Sequence, residues 1–462
     1  MRINKKAEDH RKDSFVRLAG GYGPHAAVQG AAALLRRSVM ANLLWENVAY
    51  EDGVSVVDNI KALIPQVDPH QVFSIAIEAR LKQKLRHVPL LIAREMARHD
   101  THKGLVSELL PHIITRADQL TEFMALYWQD GKCPVSKQVK LGLANAFENF
   151  NEYAFAKYDR NTEIKLRDVM FLVHPRPSQG KEELYKKLAE GTLAVPDTWE
   201  VSLSAGKDKK ETWERLINER KLGALAFMRN LRNFGEAKVD SKVILNGFET
   251  INPGWLLPIN YIAAAKAAPK WEREIETLMF RGFEQLPKLS GYSIFVVDVS
   301  GSMDCALSAK SDFTRIDVAC AMTMLAAEMC SRISVYVTAG SDGARQHKTE
   351  FVKPRRGFAL ADDIKDTYNH MGGGGIFTRQ CLEYIKKFET DVPDRIIIFS
   401  DSQDCDWPHK RTPAPFGVKN YIIDVSANSR GINYAGLWDA EISGWSEHFM
   451  SYIAAFESEP TQ

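Results

Sequence analysis

Asp298, Ser300 and Ser302 stand at alternate positions in the segment SIFVVDVSGSMD, residues 293–304. A carboxylate followed by two hydroxyls is an all-oxygen donor set. Hard divalent cations such as Mg2+ prefer oxygen ligands in octahedral geometry and keep several waters. Gly301, between the serines, lets the loop bend tightly. Two more stretches offer donors of the same kind: Asp401 ends the apolar run RIIIFSD (395–401), and Thr378 follows the glycines of MGGGGIFT (371–378). The expected ligands of Mg2+ or another divalent cation are therefore Asp298, Ser300, Ser302, Thr378 and Asp401. The competing reading is a solvated Ser/Gly turn without metal. A hydrolase would also need an activated nucleophile or a placed general base beside the metal. This set leaves no obvious spare base, Asp304 reading equally well as a surface carboxylate, and no catalytic residue is assigned.

The elements that deliver these residues belong to an alternating pattern. YSIFVVD (292–298), ISVYVTA (333–339), RIIIFSD (395–401) and NYIIDVS (420–426) are short runs rich in Ile, Val and Tyr, as buried strands are. Helical stretches lie between them, which predicts a mainly parallel sheet covered on both faces. Ligands of such sheets bind at the carboxyl ends of strands, where Asp298 and Asp401 fall. Residues 15–285 read instead as helix after helix, with Pro69, Pro89 and Pro111 at starts or breaks. Helices of this length on short turns predict antiparallel pairs stacked as a solenoid, although no strict sequence repeat is visible.

The helical part carries a second set of residues suited to chemistry, here the binding of phosphates. KYDRNTEIKLRDVMFLVHPRP (157–177) holds Lys157, Arg160, Lys165, Arg167, His174 and Arg176. Cations that track phosphates are the general source of affinity for RNA, and Arg, His and Tyr also stack on bases. For His174 the alternative is a helix-end histidine capping carbonyls. Arg229 and Arg232 are three apart and share a helix face. Arg80, Lys82, Lys84 and Arg86 read as a solvated face, and Trp199 and Trp213 as core anchors.

Net charge divides along the same line. The 462-residue chain is +1 overall, with residues 1–290 at +7 and residues 291–462 at −6. A basic first part and an acidic second part predict different partners. No apolar run reaches the length of a membrane span, and the charged N-terminus lacks a secretory apolar stretch. None of the six cysteines forms a CxxC pair, which fits reduced thiols in a cytoplasmic protein.

Two resemblances organise these readings. The D-x-S-x-S loop, the glycine-rich loop and the FSD strand end resemble the metal-ion-dependent adhesion site of von Willebrand factor A domains. In many members of that family the threonine directly follows the glycines, where this chain has Ile376. The family's open metal position accepts a carboxylate from a protein partner, which implies adhesion rather than turnover. RDVMFLVHPRP (167–177), DTWEVSLS (197–204), ETWERLINERKLGALAFMRNLRNF (211–234) and LLPINYIAAAKA (256–267) resemble, in order, the TROVE module of the Ro ribonucleoproteins. RLAGGYG (17–23) sits where that family has a glycine-rich opening, and EISGWSEHFMSYIAAF fits its closing strand and helix.

The resemblance implies a multidomain chain. Residues 1–288 would form an α-helical HEAT-like repeat ring, the TROVE module, and residues 289–462 an α/β Rossmann-like von Willebrand A domain. It implies binding of small noncoding Y-type RNA and of single-stranded 3′ ends of structured or misfolded RNA. Lys157, Arg160 and His174 match RNA-contacting positions of the family, and Arg229 and Arg232 a segment lining the ring. The implied role is a non-enzymatic adaptor in RNA quality control, with an exoribonuclease as a possible partner, acting as a monomer. The competing readings are a metal-dependent protein-interaction scaffold without RNA, and a metal hydrolase using Asp298 and Asp401.

Overall fold

The structure is a computed structural model. It describes residues 15–18, 21–24, 31–40, 51–284, 286, 288–306, 313–371, 374–401, 404–405, 414–425, 438–443 and 449–458. The described residues of 30–42 and 57–216 form one compact unit; those of 1–29, 43–56 and 217–462 form the other.

The first unit is helical. Its helices are α1 (Ala31–Met40), α2 (Glu51–Leu63, which begins in the other unit), α3 (Pro69–Leu81), α4 (Val88–Met96), α5 (Val106–Ile113) and α6 (Asp118–Tyr127). They continue as α7 (Lys137–Phe147), α8 (Glu152–Tyr158), α9 (Leu166–Val173), α10 (Glu182–Glu190), α11 (Trp199–Ser204) and α12 (Lys209–Asn218), the last crossing into the other unit. Pro69 and Pro89 open helices, as expected, whereas Pro111 lies in the last turn of α5. Side-chain caps fix several starts. Asp68 accepts from the backbone of His70 and Gln71, Ser136 from Val139, Asn151 from Ala154 and Thr198 from Val201. Packing skips one element at a time, α3 on α5 on α7 on α9, which is how stacked helical pairs pack. Gly142 permits one such approach. A Cβ there would lie 2.9 Å from the Leu110 side chain and 3.0 Å from the Val106 carbonyl.

The second unit contains an eight-stranded sheet in the order β1-β2-β8-β7-β6-β3-β4-β5. Its strands are β1 (Phe15–Leu18), β2 (Gly21–Pro24), β3 (Leu289–Asp298), β4 (Cys330–Ser341), β5 (Gln346–Val352), β6 (Arg395–Ser400), β7 (Lys419–Asp424) and β8 (Ala440–Ser443). The five from β8 to β4 are parallel, and antiparallel strands flank them on both sides. All four strands expected from the sequence lie in the parallel core. Ile294, Val296, Ile396 and Ile398 face Cys381, Leu382 and Ile385 of α19 (Thr378–Phe388) on one side. On the other side Phe295 packs on Phe399, and Phe399 on Phe449 of α20 (Phe449–Ser458).

The remaining helices of this unit are α13 (Ala224–Glu236), α14 (Ser241–Thr250), α15 (Pro258–Ala267), α16 (Glu272–Phe283), α17 (Arg315–Met329) and α18 (Gly357–Met371). The change from helix to strand falls at β3, at the expected border. The packing division nevertheless falls earlier, because α15 and α16 lie against α17 and α16 also against α18. Accordingly α17 is buried almost all round, as an internal helix is.

Two expectations are corrected. Residues 15–285 are not helix throughout, since FVRL and GYGP pair as β1 and β2, and Tyr22 extends the pairing to Glu441 of β8. Of the helix expected over 25–47, residues 31–40 are described and the rest lies outside the described residues. No helix of the described residues is long and apolar enough to cross a membrane. Among the described residues the cysteines are all free thiols, with Cys320, Cys330 and Cys381 buried.

Candidate functional site

Asp298 is the last residue of β3, and Asp401 follows β6, its parallel neighbour. The pairing register therefore brings two carboxylates to one end of the sheet, both almost fully buried. Neutral donors hold Asp298: the Ser300 N–H reaches Oδ1 at 2.8 Å and the Ser400 hydroxyl reaches Oδ2 at 2.7 Å. The Ser300 and Ser302 hydroxyls are 3.2 Å apart, so the loop directs both oxygens to one place. Burial raises the Asp298 carboxyl above its ordinary pKa, and the neighbouring Asp401 charge raises it further. Two buried carboxylates side by side call for positive charge.

Part of that charge is supplied by Arg315, which the sequence reading did not single out. Its Nη1 donates to Asp401 Oδ2 at 2.5 Å and to the Ser302 carbonyl at 3.3 Å. Thr378, the first residue of α19, is buried, and its N–H donates to the carboxylate of Asp404 at 3.3 Å. Ile376 is buried beside it and bridges to Asp404. Asp298, Ser300, Ser302 and Asp401 are thus joined by a continuous chain of contacts through Arg315. Thr378 heads a helix whose Cys381 feels the charges of both Asp404 and Asp298, although burial is what chiefly raises that thiol.

The residues fit a hard divalent cation. The donors are oxygens, and Asp401 Oδ1 is buried with no hydrogen-bond partner among the described residues. No trio of His, Cys, Asp and Glu converges to hold a metal among the described residues. A metal here would rest on two carboxylates and the hydroxyls around them.

The expected RNA-binding residues are all exposed, in two groups belonging to different units. Lys157, in the last turn of α8, lies 5.8 Å from the ring centres of Tyr153 and Tyr158. Arg160 follows in the turn after α8. His174 ends α9 in the left-handed region (φ 50°), where its backbone N–H caps the Met170 carbonyl at 2.9 Å. The cap is therefore made by the backbone, and the imidazole has no hydrogen-bond partner among the described residues. On α13, Phe227, Leu231 and Phe234 face the core while Arg229 and Arg232 point to solvent, Arg232 reaching Glu236 at 3.6 Å.

Sequence reasoning missed two exposed aromatics, Tyr153 at 41% and Phe171 at 55% exposure. Phe171 falls off the buried Leu166–Val169–Met170–Val173 stripe of α9 and precedes His174 by three residues, a helical-period signal that was available.

The Arg80 cluster is corrected. Arg80 is buried, donating to Thr115, to the Leu85 carbonyl and to Gln119, and burial followed by the Arg116 charge pulls its pKa down to about 10. Arg86 reaches Asp118 and Glu122. These two are an internal joint rather than a solvated face. Trp213 is buried, and its ring centre lies 5.5 Å from that of Trp199, as core anchors require.

The described residues thus comprise a helical unit and a unit whose sheet has a five-strand parallel core with two carboxylates at its strand ends. Residues 187–251, from α10 to the end of α14 and including Arg229 and Arg232, match the model of the TROVE domain. Among solved structures the chain is similar to the crystal structure of the Deinococcus radiodurans RO (RSR) protein. The TM-score is 0.62 at 15% identity, over 94% of this chain and 100% of that one. No curated protein matches the sequence. At 15% identity the structural likeness speaks for the fold alone, and the TROVE match is confined to residues 187–251 within that fold.

Proposed function

We propose that this protein binds RNA as Ro proteins do, taking small noncoding Y-type RNA and the single-stranded ends of structured or misfolded RNA. The observation that carries the reading is the TROVE segment with its two solvent-facing arginines, Arg229 and Arg232. In this reading Lys157, Arg160 and His174 meet structured RNA, and Tyr153 and Phe171 offer rings on which bases stack. Arg229 and Arg232 meet single-stranded tails. The protein is a cytoplasmic, monomeric, non-enzymatic adaptor that hands RNA to an exoribonuclease.

Salt tests this directly. Four cations on phosphates, Lys157, Arg160, Arg229 and Arg232, give log affinity a slope of about −2.8 against log salt, at roughly 0.7 per contact for single strands. Between 50 and 200 mM salt a tailed hairpin should therefore lose about 50-fold in affinity. Titrations that are flat over this range would end the RNA reading in favour of a protein-interaction scaffold. Lys157→Ala with His174→Ala should weaken binding of structured RNA and leave the thermal midpoint unchanged, since both side chains are exposed. A large fall in the midpoint would instead assign them a structural role.

In the same proposal the α/β part is a von Willebrand A-type module holding Mg2+ or a similar cation. Asp298, Ser300, Ser302, Thr378 and Asp401 would be its ligands, directly or through water. When bound, the ion supplies an open position for a carboxylate of a partner protein. Mg2+ or Mn2+ should raise the unfolding midpoint by mass action, and Asp298→Ala should remove the shift. Asp298→Ala should also leave RNA affinity within about 1 kcal/mol of wild type. Loss of RNA binding by a folded Asp298→Ala variant would make the carboxylates part of the RNA site.

A further inference from the structure

Arg315 is placed where a metal ligand set would not ordinarily tolerate a fixed positive charge. It is the first residue of α17, and the start of that helix is rigidly set. The Thr314 hydroxyl accepts from the Asp317 N–H and the Asp317 carboxylate from the Thr314 N–H, while the Arg315 N–H donates to the Cys305 carbonyl. From this fixed backbone the side chain runs inward and is only 16% exposed. Its guanidinium meets Asp401 through one nitrogen, not as a two-bond fork. Asp401 Oδ1 and Arg315 Nε are both buried and have no hydrogen-bond partner among the described residues. The pairing neutralises Asp401 but leaves one of its oxygens and the Arg315 Nε–H without a partner among the described residues.

We infer that Arg315 is the resident cation of this cluster, and that a divalent cation enters only by displacing its guanidinium from Asp401. The inference rests on the proposed metal site and adds what governs its occupancy. Two states follow. With Arg315 on Asp401, the cluster is charge-compensated without metal. With a divalent cation at the unpartnered Oδ1 of Asp401, a guanidinium on Oδ2 would lie within a few ångströms of it in a buried place, and the repulsion between the two cations drives the guanidinium off. The cost of breaking a charge-assisted hydrogen bond is then subtracted from metal affinity. Asp298 needs no such exchange, since its oxygens are already held by the neutral donors of Ser300 and Ser400. The arginine therefore sets how much cation the site requires, and Asp401 is the ligand that changes partner.

Calorimetric titration of the full chain with Mn2+ tests this, using Arg315→Met and Arg315→Lys. Arg315→Met keeps the unbranched apolar stem of the side chain and removes the charge. It should bind Mn2+ at least tenfold more tightly than wild type, with Arg315→Lys between the two. In EDTA the Met variant should melt below wild type, and Mn2+ should restore it, a response that a merely structural arginine would not give. Equal or weaker Mn2+ affinity in Arg315→Met would overturn the inference while leaving the metal site standing. No Mn2+ binding by wild type or by either variant would overturn both. Should Arg315→Met fail to fold, the side-chain Nε–H resonance of Arg315 in wild type decides. It should shift as Mg2+ raises the melting midpoint, and a signal that stays in place while the midpoint rises would refute displacement.

Discussion

Asp317→Ala should be among the most damaging single changes in the chain, lowering the stability of the unit that contains the sheet by about 3 kcal/mol. Asp317 is almost fully buried at the third position of α17. It binds Lys266 of α15, and Lys365 of α18 at 2.8 Å, and it completes the cap with Thr314. Removing it strands two ammonium groups and uncaps the helix that carries Arg315. For a unit of this size the midpoint should fall by about 5 °C. Burial alone would raise the Asp317 carboxyl, but the hydrogen bonds from Lys266 and Lys365 outweigh burial and hold it at about 2. A carboxyl depressed on folding stabilises the protein above its unfolded pKa, near 4, and the contribution is lost as pH falls toward 2. Wild type should therefore lose about 2–3 kcal/mol from this group over that window, and Asp317→Asn should not. Denaturant titrations at pH 7 and pH 2.5 make the comparison. A variant as stable as wild type at pH 7 would show that the lysines are solvated and the pair contributes nothing.

That ion pair also explains what the sequence did not reveal. β3, β4, β6 and β7 were legible because each holds a short run rich in Ile, Val and aromatic residues between turn signals. β1 and β2 were not, because FVRL and GYGP are too short to show a period and only β2 joins the sheet, at long range through β8. The border between helix and strand was legible at β3, but the border between compact units was not. It depends on contacts such as Lys266 with Asp317, 51 residues apart, which no local pattern encodes. Asp298 and Asp401, the carboxylates of the proposed metal site, were legible as strand-end residues because each closes an apolar run. Arg315 was missed because nothing about an arginine at the start of a helix announces that it turns inward. Arg80 was misread for a related reason: a run of alternating basic residues looks like a solvated face, and only the helix packed against it decides which member is buried.

Gly374→Ala should disrupt the candidate metal centre without touching any ligand. The sequence marks the glycine run only as the segment that precedes Thr378, and the structure gives Gly374 a packing reason. A Cβ at 374 would lie 2.4 Å from the carbonyl oxygen of Gly340 and 3.2 Å from the backbone nitrogen of Asp342. The obstacle is backbone at the end of β4, which cannot rotate away as a side chain can. The approach is mutual, since a Cβ at Gly340 would lie 2.4 Å from the Phe377 ring and 2.8 Å from the Gly375 carbonyl. The Gly375 N–H further ties the loop to Asp342 at 2.9 Å. An alanine must push residues 374–377 off β4, moving Phe377 out of the core and Thr378 and the Ile376–Asp404 bridge with it. The expected result is a loss of about 2–4 kcal/mol, together with loss of the Mg2+-dependent rise in melting midpoint. Gly343→Ala is the control, because a Cβ there meets nothing within 4 Å and should change stability by no more than about 0.5 kcal/mol. If Gly374→Ala melts with wild type and keeps its metal response, then the loop does not need its close approach to β4 and Thr378 is held in place by some other contact.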